Sequence, residues 1–183
     1  MSEATLTNAK TYTIDQAHST IRFWVRHLMI SKVHGEFPDV TGTVTGSEEN
    51  PELAVIDVTV GLASLTTGQE QRDGHLKSAD FFDVENFPTM TYKSTSIKKT
   101  DELEFDVTGD LTLHGVTKEV TLKAELTPEV TSPFGGYKVG VSASGVLNRE
   151  DFGMGWNQLI EAGGVAVGKE VHFTIDLELD RPA

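Results

Sequence analysis

The C-terminal segment alternates without a break: Val171, Phe173, Ile175, Leu177 and Leu179 are interleaved with His172, Thr174, Asp176, Glu178 and Asp180. Successive side chains of an extended chain point to opposite faces, so this pattern predicts a strand with one buried and one wet face. Leu103, Phe105, Val107, Leu111 and Leu113 repeat it with Gly109 in register, and Val120, Leu122, Ala124 and Leu126 repeat it after the turn His114-Gly115-Val116. Those two runs predict a hairpin. Shorter segments obey the same rule: Tyr12 and Ile14; Ile21, Phe23 and Val25; Ala54, Ile56, Val58, Val60 and Leu62; residues 90–97; and residues 137–147. Phe37, Val40 and Val44 lie in a Gly- and Thr-rich stretch that reads as a bent strand. The total is about eight strands, with threonine frequent on their polar faces, as suits a β-branched residue.

Two segments break the alternation. Thr67 followed by Glu70 reads as a capping box opening a helix over about residues 68–79, with Asp73 and Lys77 as a favourable i,i+4 pair and Gly74 as its weak point. Trp156, Leu159 and Ile160 share one face of a second short helical segment, which Gly163-Gly164 would stop. With no repeat and no linker, the 183 residues make one domain over 1–183, residues 1–10 forming an N-terminal tail. About eight antiparallel strands must protect their edges, either by closing into a barrel or by packing as a sandwich, and periodicity leaves both open. A closed eight-stranded barrel has room inside for side chains or for one small ligand.

Composition narrows the function. There is no cysteine, which removes disulfides, thiolate nucleophiles and cysteine-ligated metal sites together. The formal charge of −13, from 15 basic and 28 acidic residues, has the wrong sign for a phosphate backbone and argues against nucleic acid and against strong adhesion to anionic membranes. Met1 to Thr13 carry neither a basic n-region nor an apolar h-region. No stretch approaches the roughly 20 apolar residues of a membrane-spanning helix, so a cytoplasmic location is the expectation.

Four motifs, in order, resemble those of the YceI-like family. The first is Asp15-Gln16-Ala17-His18-Ser19-Thr20-Ile21-Arg22-Phe23. The second is Arg72-Asp73-Gly74-His75-Leu76 with Ser78, Asp80-Phe81-Phe82-Asp83-Val84 and Phe87-Pro88. Gly109 to Thr117 and Arg149-Glu150-Asp151-Phe152-Gly153 complete the set, and the likeness runs from about Tyr12 to Leu179. The resemblance implies an all-β, lipocalin-like antiparallel barrel closed by one or two short helices. It also implies a polyisoprenoid-binding protein, not an enzyme, whose ligand is an isoprenoid quinone, a polyprenyl phosphate or a similar fatty amphiphile, with no other cofactor. Many members carry an export signal, and this chain departs from them there. An isoprenoid tail burying about 400 Å² would gain on the order of 10 kcal/mol gross. Association costs about 4–15 kcal/mol, and at the low end of that range a net gain remains with few polar contacts.

Several residues are candidates for contact with such a ligand. Arg72, Asp73 and His75, on a helix that could cap a barrel mouth, offer charge-assisted bonds to a phosphate or a quinone carbonyl; the plainer reading pairs Arg72 with a carboxylate and His75 with the sheet. Phe81, Phe82, Trp24 and Trp156 could line a tail channel or fill the core. Trp24 lies on the face opposite Phe23 and Val25, so a helix, a lipid or a partner in a homodimer must cover one of the two faces. Arg149 could reach a head group or form an ion pair within its loop. Asp15, His18 and Ser19 invite a triad reading, but triad members must meet in space and no G-x-S-x-G elbow occurs, so no catalytic residue is assigned. The six histidines show no HExxH or HxH spacing, and no metal site is assigned. Two other readings remain: a small barrel isomerase or hydrolase using Asp73 and His75 as acid and base, and a ligand-free dimeric structural or stress protein.

Overall fold

Half-buried strands of this length need partners on both edges. The computed structural model describes residues 8–161 and 163–183, and every strand joins one antiparallel sheet. The strands are β1 (Lys10–Ile14), β2 (Thr20–His27), β3 (Ser31–Phe37), β4 (Val40–Gly46), β5 (Val55–Gly61), β6 (Thr89–Lys99), β7 (Glu104–Leu113), β8 (Val116–Leu126), β9 (Val130–Thr131), β10 (Tyr137–Asn148) and β11 (Glu170–Arg181). β10 and β11 pair from Tyr137↔Arg181 to Asn148↔Glu170. β11 also pairs with β1, through Thr13↔Asp180 and Ile14↔Leu179, which joins the last strand to the first and closes the ring. The order β11-β1-β4-β5-β6-β7-β8-β10 is an up-and-down barrel of eight strands, and closure settles the choice between barrel and sandwich.

The extra strands arise where two staves break. β1 and β2 both run along β11, separated by one 3-10 turn (Gln16–His18) whose cap, Asp15, accepts from the Ala17 amide at 3.0 Å. β3 and β4 break at Pro38-Asp39, where proline has no N–H to give a ladder. The bend expected around Phe37 and Val40 is this break, although the strand begins earlier, at Ser31. Beyond the break β2 and β3 form a hairpin that stands up as one side of a mouth. The other side carries the one α-helix among the described residues, α1 (Glu70–Lys77).

Some expectations are corrected. The cap of α1 is Gln69, whose side chain accepts from the Arg72 amide at 2.5 Å, and not Thr67. Thr67 is drawn away by Asp73, whose Oδ1 accepts from its amide at 2.8 Å and its hydroxyl at 2.5 Å, so Asp73 forms no ion pair with Lys77. Residues 156–160 form no helix. Asn157 ties the loop instead, accepting from the Val167 amide at 3.0 Å and donating to the Val167 carbonyl at 2.7 Å, a local competition at which asparagine excels. Of the tail expected over 1–10, residues 1–7 lie outside the described residues, and Lys10 already belongs to β1.

Inside the ring the apolar positions form two clusters. One surrounds Phe37, Val40, Leu62, Leu65 and Phe152 near α1; the other surrounds Ile97, Phe105, Val107, Leu122 and Ala124. Glycines make room for rings. A Cβ at Gly145 would lie 2.5 Å from Cζ of its cross-strand partner Phe173, and one at Gly109 would lie 2.7 Å from Cζ of Tyr92. A bulge between Ser94 and Ser96 shifts the parity of β6, so that Met90, Tyr92 and Ile97 all reach the interior.

Candidate functional site

The barrel is not filled. A cavity of about 1120 Å³ runs inside it, lined by side chains from every stave, among them Val60, Leu122, Ala143, Val141, Phe173 and Ile175. That is at the upper end of the roughly 300–1,000 Å³ common for ligand pockets. A stave of twelve residues, at ~3.3 Å per residue and tilted by ~40°, spans roughly 30 Å along the axis. The shape is therefore a tunnel, and its charged residues gather at its ends.

At the α1 end, Arg72, His75, Phe81, Phe82, Arg149 and Trp156 all line the cavity. Arg149, only 3% exposed, opens the 3-10 turn Arg149–Phe152. Its guanidinium donates to three main-chain carbonyls: Gly168 at 2.9 Å, Met154 at 2.5 Å and Val167 at 3.2 Å. No carboxylate lies within 4.0 Å of it among the described residues, and burial pulls its pKa down against the opposing pull of Glu150. Arg72 donates to the Thr67 hydroxyl at 2.7 Å and carbonyl at 2.9 Å, and it too has no carboxylate partner among the described residues. His75 is held by Asp80 at 2.8 Å and packs edge-on against Phe81 and Trp156, at 5.1 and 4.7 Å between centroids. Phe82 meets Phe37 edge-on at 5.5 Å. The result is an aromatic collar around two arginines with unspent positive charge.

Two expected residues lie elsewhere. Trp24 faces outward, stacked on His172 at 3.9 Å, with the Lys32 ammonium 3.8 Å over its other face; alternation put it on the outer face, and these polar neighbours cover it there. Asp73 is spent on Thr67 and does not line the cavity. Burial pushes its pKa up, but the Thr67 and Thr66 hydrogen bonds outweigh this and leave it below the usual carboxylate value. Asp73 and His75, two apart on the helix, point to different sides and share no hydrogen bond.

Sequence reasoning missed Tyr92, the one phenol in mid-tunnel. Its hydroxyl donates to the carbonyl of Val107 at 2.9 Å or Val120 at 3.1 Å, and burial, aided by Asp110 and Glu119, pushes its pKa up to about 12. The signal was present: Met90 and Tyr92 share a parity that Ile97 lacks, which requires a bulge between them.

The far end is closed by ion pairs. Glu129 accepts from the Tyr12 hydroxyl and from Arg181 at 3.1 Å, with Lys10 at 3.5 Å; Lys10 also meets Glu48 at 2.7 Å. Arg181 stacks over Tyr137 at 3.9 Å, and its hydrogen bonds hold the Glu129 carboxyl below the usual range. On the outer wall Asp15, His18 and Glu178 converge, but Lys138 reaches Asp15 at 3.2 Å and also pairs with Glu178, so a cation of the protein occupies that cluster. Ser19 bonds the Glu178 main chain instead of His18, and no triad forms.

Residues 12–179 match the model of the YceI-like domain. Protein YceI of Escherichia coli O157:H7 is 43% identical over 146 residues, which cover 79% of this chain and 76% of the relative. A solved YceI protein of Campylobacter jejuni superposes with a TM-score of 0.74 at 30% identity, over 100% of each chain. A polyisoprenoid binding domain from Saccharophagus degradans shares the fold, with a TM-score of 0.69 at 16% identity over 93% of this chain and 98% of that one.

Proposed function

The chain belongs to the YceI-like domain family, and from that premise we propose that it holds one long apolar chain of isoprenoid type in the tunnel, with its polar head at the α1 end. The observation that carries this reading is the cavity itself, about 1120 Å³ of aliphatic and aromatic lining with its charges confined to the ends. Water gains nothing from such a wall, whereas a hydrocarbon tail replaces it at about 25 cal/mol per Å². Arg72 and Arg149 supply a positive field for a phosphate or a quinone oxygen, because their charge is not cancelled by carboxylates. The solved relative from Saccharophagus degradans is described as a polyisoprenoid binding domain, which supports the same ligand class. The protein acts as a carrier or store of this lipid. The enzyme reading loses its acid–base pair, since Asp73 and His75 engage Thr67 and Asp80 and not each other.

The test narrows the tunnel. Ala124 and Ala143 are direct cross-strand partners and both line the cavity. Replacing both by Phe narrows the passage there, so binding of a fluorescent long-chain polyprenyl amphiphile should fall about tenfold or more while a short-chain analogue still binds. Equal affinity for the long chain in both proteins would overturn the reading.

A further inference from the structure

Residues 26–32 are exposed without exception, and they form the tip of the β2–β3 hairpin at the α1 end of the tunnel. The turn consists of Leu28, Met29 and Ile30, which are 38%, 60% and 79% exposed. Leu28 and Met29 hold φ of 49° and 64°, a conformation that Asn or Gly adopts at far lower cost. A soluble turn would not place three large apolar residues here. Beside the tip run residues 158–161 and 163–168: the Leu28 amide donates to Ala166 at 2.9 Å, the Gly168 amide to Arg26 at 2.9 Å, and Met29 packs over Gly164 so closely that a Cβ there would lie 2.2 Å from its sulfur. The same loop carries Leu159, 88% exposed. Leu28, Ala166 and Val167 also line the cavity, so the exposed patch continues into the tunnel mouth.

The residues flanking the patch are cationic and aromatic. Arg26 and Lys32 both lie over the ring of Trp24, at 6.0 and 3.8 Å, and neither has a carboxylate within 4.0 Å among the described residues. Glu70, Asp80, Asp83 and Glu85 belong to the opposite, α1 side of the mouth, and the acids on the tip side are Glu161, on the loop that carries Leu159, and Glu170, beside His172. An apolar tip, an amphipathic ring behind it and cations at the same level reproduce the layering of a bilayer surface: acyl chains, interface, anionic head groups.

We propose that the β2–β3 tip, with Leu159, docks the tunnel mouth onto an anionic lipid bilayer. This inference rests on the lipid-binding reading for its purpose, since a ligand that resides in membranes must pass from one solvent to the other. Overall charge argues against membranes, but the local field on the hairpin has the opposite sign. A second copy of the chain fits the patch less well, because its cations would face like cations and a few side chains fall short of the roughly 800 Å² per partner of a stable interface.

Vesicle flotation tests the proposal, with phosphatidylcholine alone and phosphatidylcholine containing a minority of phosphatidylglycerol, the protein's lipid content being measured on the same preparation by native mass spectrometry. The wild type should float with the mixed vesicles, and Met29→Asp with Ile30→Asp should reduce partitioning by about tenfold or more. Arg26→Gln with Lys32→Gln should remove the preference for the anionic vesicles. Phe134→Asp, at a 95% exposed position beside β9 at the far end, should change nothing. A wild type that carries lipid but never floats overturns the docking surface and leaves the lipid-binding reading standing. A wild type that floats through this tip while empty, and stays empty after incubation with isoprenoid quinones and polyprenyl phosphates, upholds the surface and overturns that reading. Equal loss in Phe134→Asp, or a dimer dissolved by the tip variants without vesicle binding, overturns the proposal.

Discussion

At the far end of the tunnel Arg181 and Lys10 close on Glu129 and Glu48, whereas at the α1 end Arg72 and Arg149 close on a threonine and on main-chain carbonyls. Each pair carries two positive charges. At the far end their charge is cancelled and serves to seal the barrel. At the α1 end donors are satisfied but charge is not, which leaves a field for a ligand atom to complete. Hydrogen-bond satisfaction and charge neutralisation are thus separate requirements, and a binding site emerges where the first is met without the second.

The comparison breaks most visibly at Arg149. Arg149→Met strands three carbonyls in a buried loop and should lower stability by about 3 kcal/mol in urea unfolding. A loss within a few tenths of a kcal/mol would show that the guanidinium does not organise the mouth. Arg72→Gln should leave folding nearly unchanged but weaken binding of a phosphate-headed polyprenyl amphiphile about tenfold, with little effect on an uncharged one, as fluorescence titration would read. Glu129→Gln should behave in the reverse way, costing about 1 kcal/mol of stability while leaving amphiphile affinity unaltered. If Glu129→Gln weakened binding as much as Arg72→Gln, the two ends would not differ in role.

The smallest effect concerns the middle. Tyr92 keeps its proton up to about pH 12 in the folded protein, whereas in the unfolded chain it loses it near 10.0. A raised folded-state pKa means that its contribution is whole below the unfolded value and disappears as pH rises toward the folded one. Unfolding free energy should therefore decline between those values, and Tyr92→Phe should flatten that part of the curve while costing about 1 kcal/mol at neutral pH for the lost hydroxyl bond. An unchanged alkaline limb would show that the phenol is not sequestered.

Much of the wall was legible because alternation is a local property. The faces of β7, β8 and β11, the break near Phe37 and the His114-Gly115 turn all follow from neighbouring residues. Closure was not legible in the alternation, since the β1–β11 pair joins the two ends of the chain and no local pattern encodes it; the barrel came from the resemblance to the YceI-like family. The second helix failed because asparagine at 157 offered the backbone a rival partner. In the site, Arg72, His75 and Arg149 could be picked out from motifs, but their lack of counter-charges could not, because that depends on which carboxylates fold close by. The run Leu28-Met29-Ile30 has no alternation, and nothing in its local pattern marks it as an exposed tip.

Native mass spectrometry of protein purified without detergent, followed by solvent extraction of whatever is released, tests the tunnel most directly. The expected result is a complex with one long-chain isoprenoid or related amphiphile per chain. Protein that is empty, and stays empty after incubation with isoprenoid quinones and polyprenyl phosphates, would contradict a lipid-holding tunnel.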